Sequence, residues 1–162
     1  MDIPVDALVW TTPDRVPQGG LWVSDGEWWL AAAVGAEHNQ RIILQLNGER
    51  AGRAIRPPAG MYGFGLGEDY TWRAMIPGPD AAVSQFNLGS ILLAPDGPYL
   101  WCQNGYERQF AVTLAGEDIS SRVERTEAHF PRWHVELVSK ARPWEPLARL
   151  FSVEPAEALA TA

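Results

Sequence analysis

The sequence predicts an all-β chain: a single-domain antiparallel β-sandwich or barrel with short hairpins and a C-terminal amphipathic helix. Three observations carry that prediction. The turn dipeptides Asp25-Gly26, Asn47-Gly48, Asp96-Gly97 and Asn104-Gly105 punctuate the chain. Each ends in a residue that takes positive φ without strain, as a type I′ hairpin turn requires. Around them lie short segments rich in aromatic and aliphatic residues, at 20–24, 27–35, 41–46, 49–55, 70–76, 85–94, 98–103, 106–115 and 132–138. Helical periodicity is scarce, so a meander, barrel or two-layer sandwich is expected rather than βαβ units.

The helix is expected at 143–160. In RPWEPLARLFS, Trp144, Leu147 and Phe151 recur at i, i+3 and i+7, the spacing of one helical face. Pro143 or Pro146 suits a first turn, where a missing N–H costs nothing. A second short helix is placed after Pro155, and residues 117–128 fit either a helical stripe or a solvated strand. Residues 1–19 read as a proline-containing arm and 20–162 as one β domain that includes the helix.

Composition bounds the partners. A chain of 162 residues can bury about two-thirds of its unfolded surface in one domain. Twenty acidic against 13 basic side chains give a net charge of −7, and the basic residues are dispersed. Phosphate-backbone binding wants clustered Lys and Arg, so nucleic acid is not an expected partner. Cys102 is alone and cannot form an internal disulfide. No secretory leader follows Met1 and no run approaches a membrane span, so a cytoplasmic location is expected. Eight tryptophans in so small a domain need a broad core, a binding surface, or both.

The first hairpin explains where some of those rings go. With Asp25 and Gly26 central in the turn, Ser24 opposes Glu27, Val23 opposes Trp28, Trp22 opposes Trp29 and Leu21 opposes Leu30. Alternation sends Leu21, Val23, Trp28 and Leu30 to one face, and the Trp22–Trp29 pair to the other. Both faces then need a cover. Over Trp22 and Trp29 the cover is either the C-terminal helix or a second sheet, or else a ligand such as a sugar ring stacked on indole.

PYLWCQNGYERQF repeats the pattern around Asn104-Gly105. A two-residue turn there sets Trp101 opposite Arg108, a cation–π pair worth about 0.5–1 kcal/mol when exposed. Cys102 then opposes Glu107 on a mixed, half-wet face, with no adjacent histidine to support a thiolate nucleophile. The stretch GMYGFGLGEDYTWRAMI, if extended, places Gly63, Gly65 and Gly67 on one face and Tyr62, Phe64 and Leu66 on the other. Glycine there permits curvature or close approach of another backbone, ring or ligand. It matches neither GxGxxG nor GxxxxGK[ST], and no cofactor is expected.

Chemistry is thinly signalled. On a strand at 132–138, Arg132, His134 and Glu136 share a face, as a metal site or a general base with its orienting carboxylate would need; a solvated polar face gives the same pattern. GxSxG is absent, and Ser90 lies inside an expected strand. His38 falls in a polar turn. Glu68, Asp69, Glu124 and Glu127 are carboxylates that sequence alone cannot pair.

The functional expectation is therefore a non-catalytic β domain that binds a carbohydrate or small amphipathic ligand through Trp22, Trp29, Tyr62, Phe64, Trp72, Trp101 and Arg108. The alternative is a structural subunit of a homo-oligomer or larger assembly. A small β-barrel enzyme using His134, Glu136 and Arg132 stands third.

Overall fold

Asp25 and Gly26 adopt φ of 51° and 77°, the two positive values that a type I′ turn demands. The flanking strands pair as that turn dictates, Trp22 with Trp29 and Ser24 with Glu27. The computed structural model describes residues 2–35, 40–77, 86–119 and 126–154, and among them this hairpin is the centre of the largest sheet.

That sheet contains β1 (Leu8–Thr11), β2 (Leu21–Ser24), β3 (Glu27–Val34), β4 (Gln40–Gln45), β5 (Ala54–Ile55) and β6 (Gly63–Leu66). Its order is β1-β6-β2-β3-β4-β5, so β6 returns to lie between the first two strands. A three-stranded sheet, ordered β13-β12-β7, joins β7 (Tyr70–Met75), β12 (Trp133–Ser139) and β13 (Arg142–Val153). A four-stranded sheet, ordered β10-β9-β8-β11, joins β8 (Ile91–Ala94), β9 (Gly97–Gln103), β10 (Gln109–Thr113) and β11 (Ala128–Phe130). Every strand pair is antiparallel. The chain is all-β.

The sheets share one core. Leu21, Trp28, Leu30, Ile42 and Leu44 of the large sheet pack with Ile91, Leu100, Cys102 and Val112 of the four-stranded sheet. Trp133, Val135, Phe151 and Val153 of the three-stranded sheet complete the cluster. Phe151 stacks on Trp28 with ring centroids 5.2 Å apart. The opposite face of the large sheet has a small core of its own, where Val16 and Met61 pack against Trp22, Trp29, Ala31 and Ile43.

The expected C-terminal helix is not formed. Residues 142–153 are strand β13, paired to β12. The misleading periodicity has a physical source: the register slips between Val135 and Glu136, between Leu137 and Val138, and between Val138 and Ser139. Each slip breaks the alternation of a regular strand, so the apolar residues fall at helix-like intervals. Trp144, expected on the buried stripe, is 67% exposed. Pro143 and Pro146 are tolerated because β13 is an edge strand, where a missing N–H breaks no ladder. The helix placed after Pro155, His38 and residues 120–125 of the 117–128 segment lie outside the described residues.

The second hairpin also differs. Gln103 pairs with Gln109 and Trp101 with Ala111, three residues out of the expected register. Asn104 is the reason. Its Oδ1 accepts the N–H groups of Tyr106 (2.9 Å) and Arg108 (3.1 Å), while its carbonyl accepts that of Glu107. Glu107, rather than Gly105, takes the positive φ of 61°. An odd slip exchanges the faces, so Cys102 turns inward and is buried. Burial pushes its thiol pKa up. In the β8–β9 turn Ala94 pairs with Gly97, leaving Pro95 and Asp96 central. The strand expected at 49–55 shrinks to Ala54–Ile55.

Candidate functional site

A row of side chains crosses the inward face of the large sheet, and its cover runs out at one end. Trp10 pairs with Phe64, Phe64 with Val23, and Val23 with Trp28. Trp28 is buried beneath Phe151, Val23 is half-buried, and Phe64 and Trp10 are 40% and 60% exposed. Tyr62, 55% exposed, stacks on Trp10 with centroids 5.6 Å apart and planes within 10°. Phe64 meets the same indole edge to face at 5.0 Å. Strand β1 and the entry to β6 thus carry a contiguous, water-facing aromatic cluster, a feature that soluble chains rarely leave without a use.

Local structure builds this cluster. Residues 5–7 and 13–15 are single 3-10 turns that bracket β1, so only four residues of the strand lie on the sheet. On the other side of β6, Gly63 makes room for a core ring. A Cβ there would run into the Val23 carbonyl oxygen and sit 2.9 Å from Trp22 Cε2. Trp22 Nε1 in turn donates to Thr11 O at 3.3 Å. Ser24 Oγ donates to Tyr62 O at 3.2 Å, which holds the Tyr62 backbone at the rim of the hairpin.

The structure divides the expected aromatic contacts into two groups. Tyr62 and Phe64 belong to the exposed cluster. Trp22 and Trp29 lie under Val16 and Met61, so the cover over that hairpin face is the chain's own residues, drawn from 12–19 and the approach to β6. Trp29 Nε1 is buried there and has no hydrogen-bond partner among the described residues. Trp72 donates its Nε1 proton to Gly19 O at 2.8 Å and packs against the main core. Trp101 meets Phe86 edge to face at 5.6 Å. Arg108 is exposed and is not paired with Trp101, because the register slip places Ala111 there.

Trp10 was not among the sequence candidates, since 1–19 read as an arm. Its signal is the run LVWT before Pro13, a short strand that gains a partner only when the glycine-rich β6 folds in beside it.

His134 and Glu136 do come together, His134 Nε2 lying 3.3 Å from Glu136 Oε1. Their third partner is Arg73, whose Nε donates to Glu136 Oε2 at 2.9 Å; Arg132 precedes the strand and is exposed. Burial raises the Glu136 pKa, but the hydrogen bonds and charges of Arg73 and His134 outweigh it and hold the carboxyl below its ordinary value. Arg73 also donates to Pro143 O, so the network bridges all three strands of its sheet. Among the described residues no three His, Cys, Asp or Glu side chains gather as a metal site.

Sequence reading missed a second histidine contact. His129 Nε2 lies 2.9 Å from Ser90 Oγ and 3.4 Å from the donating Asn87 N–H. The distance suits a nucleophile and base, yet both side chains are buried. The contact ties the residue that precedes β8 to β11. Burial lowers the His129 pKa. The residues are 39 positions apart, and nothing in sequence links them. No helix among the described residues is long and apolar enough to cross a membrane.

Comparison with protein-family models, curated proteins and solved structures finds no match to this chain.

Proposed function

We propose that this is a non-catalytic β domain that binds a carbohydrate or small amphipathic ligand on Trp10, Tyr62 and Phe64. The observation that supports it is the exposed aromatic row at the uncovered end of the sheet. Aromatic faces attract the C–H face of a sugar ring and the apolar side of an amphiphile, and they lose little conformational entropy on binding. Because the rings are braced against one another and rise from paired strands, the surface is largely pre-formed. The underlying architecture is read as a sandwich, with the six-stranded sheet facing the two smaller sheets across the common core.

Calorimetric titration of the full chain against neutral and charged oligosaccharides and short-chain amphiphiles tests this proposal. Binding by the wild type that is lost in Trp10→Ala and retained in Trp144→Ala supports it. Absence of binding across the panel, or equal binding by Trp10→Ala, overturns it.

A further inference from the structure

The free edge of β1 carries an inference that goes beyond the ligand reading and does not depend on it. Gly67 N–H donates to Ala7 O at 2.8 Å, and β1 and β6 pair in the same register. Since antiparallel hydrogen-bonded pairs alternate, Val9 and Thr11 turn their backbone groups toward β6. Leu8 and Trp10 therefore turn theirs to the open side, where no strand among the described residues pairs with them. Such a row of free N–H and C=O groups is a template for another strand.

Two other edges among the described residues, those of β13 and β10, are blunted and this one is not. Strand β13 carries Pro143, Pro146 and three register slips. The outer side of β10 is taken by residues 117–119, through Thr113 N–H to Glu117 O and Ile119 N–H to Ala111 O. Strand β1, by contrast, is Leu-Val-Trp-Thr: it has no proline, charge or bulge, and Val9 and Trp10 are exposed on its two faces.

We infer that β1 pairs antiparallel with β1 of a second copy of this chain, about a two-fold axis at Val9, to join two six-stranded sheets edge to edge. The edge is self-complementary in this register. Leu8 of each copy opposes Trp10 of the other, so all four outward donors and all four outward acceptors find partners. Val9 faces Val9 of the second copy, and the larger residues meet as Leu8 against Trp10, apolar against apolar. Continuing the register sets Asp6 opposite Thr12 and Asp14 opposite Pro4, so no carboxylate faces another. The axis stands perpendicular to the sheet, and both aromatic clusters therefore emerge on the same side, with the two Trp10 rings as diagonal neighbours.

Light scattering on the full chain across a concentration series, with charge variants at the axis, tests this. Wild type is expected at twice the chain mass. Val9→Lys and Val9→Glu each set like charges face to face and should weaken association about tenfold or more, while an equimolar mixture of the two re-forms the dimer. Val9 is half exposed, so both variants should keep wild-type circular dichroism. A wild type that stays monomeric at millimolar concentration overturns the inference, as do variants that dimerise like wild type or a mixture that stays monomeric.

Discussion

Gly63 lies directly against the Val23 carbonyl and the indole of Trp22, so that a single added methyl would run into Val23 O first and would approach Trp22 Cε2 to 2.9 Å and Cζ2 to 3.0 Å. This contact is where the glycine-rich strand and the tryptophan hairpin account for each other: the missing side chain on β6 leaves room for both the β2 backbone and a fully buried ring. Gly63→Ala should therefore destabilise the chain by about 1–3 kcal/mol through overpacking. Gly65→Ala, whose nearest obstacle is the Thr11 methyl at 3.2 Å, should cost less. Urea unfolding midpoints of the two variants decide the order.

Truncating the two kinds of tryptophan should have opposite consequences. Trp22→Ala removes a fully buried ring and should cost about 3–5 kcal/mol. Trp10→Ala removes an exposed ring with two aromatic contacts and should cost about 1 kcal/mol. Chemical denaturation of both, set beside ligand titration, separates core from surface.

The second hairpin makes a prediction that its sequence conceals. Glu107, not Gly105, holds a left-handed backbone. Glu107→Gly should stabilise by up to about 1 kcal/mol by relieving that conformation. Gly105→Ala, with open space around its Cα, should change stability little. Thermal melts that ranked the two the other way would contradict the observed register.

Acid should weaken the fold through His129. Its pKa is lowered in the native state by burial, so the unfolded chain binds the proton more readily. The stability is then fully present above the unfolded value of about 6.5 and falls as pH drops through it toward the native value. Unfolding free energy should decline from pH 7.5 to 5.5 more in wild type than in His129→Asn. Glu136, lowered overall, contributes in the same direction at more acid pH, above its native value and below the ordinary carboxylate range.

The buried Cys102 thiol, its pKa raised by desolvation, should resist labelling by a disulfide reagent at pH 8 and react promptly in urea. Rapid labelling of native protein would place the thiol on the wet face that a two-residue Asn104-Gly105 turn implies.

What was legible in the sequence follows from what is local. Asp25-Gly26 sets its own φ angles, and the pairing of Trp22 with Trp29 follows by counting. Asn104-Gly105 looks the same in sequence, but the Asn104 side chain captures two later N–H groups and lengthens the loop. Strand β13 was hidden because bulges give its apolar residues a helical spacing. The exposed cluster was half visible: Tyr62 and Phe64 stood out, whereas Trp10 joins them only through a pairing 54 residues away in the chain. The burial of Trp22 was decided by Val16 and Met61, contacts with no periodic trace.

The most direct test follows the indole N–H signals of the eight tryptophans by nuclear magnetic resonance, in hydrogen exchange and then during titration with whichever saccharide or amphiphile calorimetry identifies. Trp10 is expected to exchange at once and to shift on titration, while Trp22 and Trp29 stay protected and still. Ligand-dependent shifts at Trp22 and Trp29, with Trp10 unmoved, would contradict a binding surface on Trp10, Tyr62 and Phe64.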